Sequence, residues 1–173
     1  PSLVGSEMCI RDRSNNTALL VDRVAPTIAT TSINTANTEL TVTFSEDVYD
    51  TTGGTGDLEA TDFELSIAGG VATLGSATPT SITKTSQLVW VLGFSTSGTA
   101  NGSETITVVP ASSTSIYDAA ANAAATSQSN NTALLVERVA PTVTLTGPSG
   151  NVTTAFTVTA TFSEAVTGFA LDD

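Results

Sequence analysis

Residues 40–44 read LTVTF, residues 88–92 read LVWVL and residues 105–108 read TITV. In the first, Leu40, Val42 and Phe44 alternate with Thr41 and Thr43. In the second, Leu88, Trp90 and Leu92 alternate with Val89 and Val91, and in the third Ile106 and Val108 alternate with Thr105 and Thr107. A period of two places alternate side chains on one face of an extended strand, so each stretch carries one apolar face. Between them lie TTGGTGD at 51–57, AGG at 68–70, STSGTANGS at 95–103 and the Asn pair at 130–131, all rich in turn-forming residues. No segment carries an apolar stripe of helical period, although TSIYDAAANAAAT at 114–126 has enough alanine for a short helical turn. Short strands between polar turns predict an all-β fold, a two-sheet Greek-key sandwich. The first strand is expected at 27–33 and the second at 38–44, with Trp90 as a large core residue.

Working outward from those strands, the chain repeats itself. Residues 14–27 read SNNTALLVDRVAPT and residues 129–142 read SNNTALLVERVAPT; 13 of 14 positions agree, and the second copy starts 115 residues after the first. FSEDV at 44–48 is echoed by FSEAV at 162–166. The period exceeds the roughly 20–50 residues of solenoid repeats, so autonomous modules in tandem are expected. On that division 14–23 is the last strand of one module, 24–138 a complete module and 139–173 the opening of another. Residues 2–13, SLVGSEMCIRDR, resemble a translated sequencing-library adapter, and 1–13 is set aside as a non-native segment.

VAPT at 24–27 and 139–142, TFSE-x-V at 43–48 and 161–166, and IYDAAAN at 116–122 together resemble the bacterial immunoglobulin-like repeats of very large surface, adhesin and secreted proteins. The resemblance covers 14–173 and departs most in the second half of the module. It implies an extracellular or cell-surface location and a structural or adhesive role, with neighbouring modules as the first partners, and it names no ligand.

The inventory of side chains narrows the chemistry. The chain has no His, and its one Cys, Cys9, lies in the adapter-like segment. A Ser–His–Asp triad, a Cys–His pair and the usual zinc sites are therefore excluded. Carboxylates could still work on a glycoside, but aromatic residues are 5% of the chain and fall mostly at core-facing positions, too few to build a sugar platform. No enzyme is expected. A net charge of −12 opposes phosphate backbones, so nucleic acid is not an expected partner. No apolar run reaches the roughly 20 residues of a membrane helix, and no membrane insertion is expected in this segment. The sequons at 15–17, 101–103, 130–132 and 151–153 are read as turn chemistry.

The acids are distributed unevenly. If the second strand returns the chain at Ser45 to the end it entered from, Glu46, Asp47, Asp50, Asp57, Glu59, Asp62 and Asp118 gather at one pole, facing Asp22. Those seven are most of the module's eleven acids, and like charges so placed need compensation. Calcium is one means of compensation, since it takes about six to eight oxygen ligands from loop carboxylates and carbonyls. The candidate ligands are Asp22, Glu46, Asp47, Asp62 and Asp118. Glu46 has a counterpart, Glu164, in the next module, whereas Asp47 is replaced there by Ala165. The alternatives are an Arg23–Glu46 pair repeated as Arg138–Glu164, or solvated loop charges. The expected role is a structural or adhesive spacer, rigidified by calcium at module junctions. The alternatives are a module binding a glycan or surface protein through the 49–62 loop or a sheet face, and an accessory domain of a secreted hydrolase.

Overall fold

The computed structural model describes residues 21–170. In chain order the strands are β1 (Ile28–Ile33), β2 (Glu39–Phe44), β3 (Phe63–Ala68), β4 (Thr73–Leu74), β5 (Ser81–Lys84), β6 (Val89–Gly93), β7 (Thr96–Ser97), β8 (Thr105–Pro110), β9 (Thr132–Leu134), β10 (Val143–Thr146) and β11 (Thr159–Phe162). The expected strand starts hold to within a residue. All pairings are antiparallel, giving one sheet in the order β1-β2-β6-β5, a second in the order β3-β8-β9, and the short pairs β4-β7 and β10-β11.

The alternation seen in sequence sets which side chains meet. Leu40, Val42 and Phe44 of β2 and Trp90 and Leu92 of β6 are buried, as are Phe63 and Leu65 of β3 and Ile106 and Val108 of β8. These residues from the two larger sheets form one apolar cluster, and the rings of Phe44 and Phe63 approach to 6.3 Å between centroids. The threonines between them stay partly exposed, so the fold is an all-β, sandwich-like packing of two sheets. The cluster lies within residues 28–135. No helix among the described residues is long and apolar enough to cross a membrane.

One local expectation is corrected. The Ala-rich stretch 114–126 forms no helical turn. There Asp118 Oδ1 accepts the backbone N–H groups of Ala120 and Asn122 at 2.9 and 2.7 Å, and Ala121 takes a left-handed φ of 69°. A side chain bonded to its own backbone competes with helical bonding, and the segment instead folds back so that Ala124 N–H reaches Ile116 O at 2.9 Å. The one short 3₁₀ turn among the described residues is Ala60–Asp62, closed by reciprocal bonds between Glu59 and Asp62. The strand expected at 14–23 lies mostly outside the described residues, as does the adapter-like segment, and Val21–Arg23 pair with no strand.

The repeated motifs make the same contact twice. Thr27 N–H donates to Ser45 Oγ at 3.0 Å while Ser45 N–H donates to Thr27 O at 2.8 Å. Thr142 N–H donates to Ser163 Oγ at 2.9 Å while Ser163 N–H donates to Thr142 O at 2.9 Å. The APT turn and the FSE turn thus clasp each other, and the flanking strands pair alike, Ile28 with Phe44 and Val143 with Phe162. In the second copy the hairpin leaves Val143, Leu145 and Val158 exposed, and Phe162 packs edge-on against Phe169 at 5.1 Å.

Candidate cation site at the acidic pole

The clasp decides where the acids sit. Because Ser45 is tied to Thr27, the residue after it, Glu46, is held beside the segment that enters β1, and Asp22 lies on that segment. Asp118 comes from the long connection between β8 and β9, which is pinned to the same pole by paired bonds between Tyr49 and Tyr117, each 2.8 Å. One carboxylate oxygen from each of Asp22, Glu46 and Asp118 lies within 4.8 Å of the others.

The three carboxylates differ in environment. Asp118 is 2% exposed and both its oxygens are hydrogen-bonded: Oδ1 accepts from Ala120 and Asn122 N–H, and Oδ2 accepts one bond, from the Asn122 side-chain amide at 2.7 Å. The same Asn122 amide donates to Asp22 O at 3.2 Å, linking the entering segment to the loop. Asp22 Oδ1 accepts Val24 N–H at 2.9 Å and is exposed. Glu46 is half-buried; desolvation first, then the negative charges of Asp118 and Asp22, push its carboxyl above the ordinary range. An uncompensated group of this kind favours any cation that can reach it.

Of the five candidate ligands, three are brought together and two are not. Asp47 is exposed and outside the group. Asp62 is occupied in closing the 3₁₀ turn, its Oδ2 accepting Glu59 N–H at 2.7 Å. Burial raises the Asp62 carboxyl most, the Glu59 bond lowers it, and Asp50 and Glu59 raise it further. The alternative Arg–Glu pairs are not formed. Among the described residues the ion pair is Lys84–Asp57, 2.5 Å, and the Arg138 guanidinium donates instead to Thr35 O at 2.8 Å, at the turn between β1 and β2.

A further charged residue, Glu104, has no counterpart in the sequence reading. It is 0% exposed, and its carboxylate accepts the backbone N–H groups of Val71 at 2.8 Å, Ala72 at 3.0 Å and Asn101 at 3.0 Å. The Ala72 bond is the largest influence; with burial opposing and the Val71, Asn101 and its own backbone bonds adding, the carboxyl is held down at about 2. The loop it holds approaches so closely that a Cβ on Gly70, whose φ is +56°, would fall 2.2 Å from the Glu104 side chain. A signal did exist in the sequence: Glu104 shares the inward alternation of Ile106 and Val108.

The chain matches no family model, no curated protein and no solved structure.

Proposed function

We propose that this chain carries tandem immunoglobulin-like modules of a large secreted or surface-anchored protein, serving as structural or adhesive spacers and not as an enzyme. The observation that carries the reading is the Thr–Ser clasp, made once by Thr27 and Ser45 and again by Thr142 and Ser163. Lettered in chain order with the two shortest strands left out, β1-β2-β6-β5 and β3-β8-β9 correspond to the ABED and CFG sheets of a seven-stranded immunoglobulin sandwich, which supports the Greek-key assignment. The segment leading into 24–138 is tied to its body by the Asn122 amide donating to Asp22 O, and its last residue by Arg138 N–H donating to Ala100 O. Such anchoring limits hinge freedom between neighbours and suits a spacer. Polypeptides of two, three and four copies of 24–138 are expected to lengthen by a constant increment in small-angle scattering. Compact particles whose longest dimension fails to grow with copy number would sink the spacer reading.

The same reading gives the acidic pole a task. A calcium ion held by Asp22, Glu46 and Asp118 would join the entering segment to two loops and stiffen the junction. With a dissociation constant of about 1 mM, about 10 mM calcium stabilises by about 1.4 kcal/mol. That raises Tm by about 5 °C over a sample in excess EDTA. Glu46→Ala should abolish the rise and Asp47→Ala should retain it. A Tm indifferent to calcium removes the ion and leaves Asp118 held by Asn122 and loop N–H groups, Asp22 held by Val24 N–H, and Glu46 beside them.

A further inference from the structure

Asn101 is the only asparagine of the chain that is followed by glycine. Its surroundings resemble a reaction centre more than a simple turn. The Asn101 side-chain carbonyl Oδ1 accepts Ser103 N–H at 3.0 Å, which folds the amide back over the Gly102 peptide. Gly102 has φ +80° and no side chain to shield its nitrogen, and its N–H makes no hydrogen bond among the described residues. On the preceding side Asn101 N–H is held by Glu104 at 3.0 Å, so the loop is anchored at its base while Asn101 itself is exposed to water.

From this geometry we infer that Asn101–Gly102 is a self-modifying site, at which the folded chain converts Asn101 to aspartate and isoaspartate without an enzyme. The Gly102 nitrogen attacks Asn101 Cγ, forming an N–Cγ bond and giving up its proton. As the tetrahedral centre forms, negative charge develops on Oδ1, where Ser103 N–H already donates; a donor placed in advance on a developing oxyanion lowers the barrier. The Cγ–Nδ2 bond then breaks, ammonia leaves with the proton, and a succinimide remains. Water opens the ring at either carbonyl. Opening at Cγ gives aspartate, and opening at the main-chain carbonyl gives isoaspartate, which routes the backbone through the former side chain. Each product adds a negative charge beside the Glu104 carboxylate. Asn37 and Asn131, by contrast, are buried and hold backbone groups through their side chains.

The test is peptide mapping by mass spectrometry of the full chain incubated at neutral pH, natively and in denaturant. The expected result is a mass gain of amide-to-acid conversion at Asn101 ahead of every other asparagine, with isoaspartate among the products. Conversion in the native chain should be at least as fast as in the unfolded chain. Asn101→Gln, whose longer side chain cannot close the same ring, should lose the gain at this position while keeping the fold. An Asn101 that stays an amide natively, or reacts more slowly folded than unfolded, overturns the assignment.

Discussion

Glu104→Gln is expected to lower Tm by on the order of 10 °C at neutral pH and to flatten the acid side of the stability profile. The buried carboxylate satisfies backbone donors from two loops, Val71 and Ala72 on one and Asn101 on the other. Glutamine keeps one acceptor oxygen but turns an NH₂ toward donors, leaving buried N–H groups facing N–H groups and removing the charge that strengthens the bonds. The pH dependence has a definite sign. The folded carboxyl sits at about 2 against an ordinary 4.5, so the unfolded chain takes up this proton first. The stabilisation is complete above the unfolded value and is lost as pH falls from 4.5 toward 2. Glu46 and Asp62 act in the opposite sense: their carboxyls are raised, so the folded chain holds those protons to higher pH, and their ionisation weakens the fold as pH rises. Since both remain in the variant, subtracting its profile from the parent's, each measured by urea unfolding at stepped pH, isolates Glu104. Parallel profiles would show that the carboxylate is not the clamp between these loops.

Trp90→Ala should cost about 3–5 kcal/mol. Trp90 is 1% exposed on β6, opposite Val42 of β2 and Lys84 of β5, within the cluster shared by both large sheets. Truncation leaves a void that neighbouring strands cannot fill, because their hydrogen-bonded registers fix their separation. It also removes the indole N–H that donates to Gln87 O at 3.1 Å and the ring beneath the Lys84 ammonium, 5.6 Å from its centre. At about 5 °C per kcal/mol, Tm falls by more than 10 °C. Urea unfolding should show a lower midpoint with an unchanged slope, since the surface exposed on unfolding is nearly the same. A loss below about 1 kcal/mol would mean that the two sheets do not share this core.

The sequence by itself determined where β1, β2, β6 and β8 run and which faces of β2, β6 and β8 turn inward. Leu40, Val42, Phe44, Ile106 and Val108 alternate with threonine, and a two-residue period in a half-buried strand has no second solution that buries the same side chains. It also determined the repeat, because identity over 13 of 14 positions needs no structure to be seen. Folding direction was enough to send Glu46 and Asp118 toward Asp22, since antiparallel returns alternate between two poles. Which acids meet was decided by tertiary contacts: the Thr27–Ser45 clasp and the Tyr49–Tyr117 bonds draw in Asp22, Glu46 and Asp118, while Asp62 is spent on its own 3₁₀ turn and Asp47 remains in solvent. The Ala-rich stretch escaped helical form because a side chain four residues back outbid the helix for its backbone N–H groups. Glu104 was decided at the same level. A charge becomes a fixed, buried anchor only when distant loops supply backbone donors, and Val71 and Ala72, more than thirty positions away, belong to no local pattern around it.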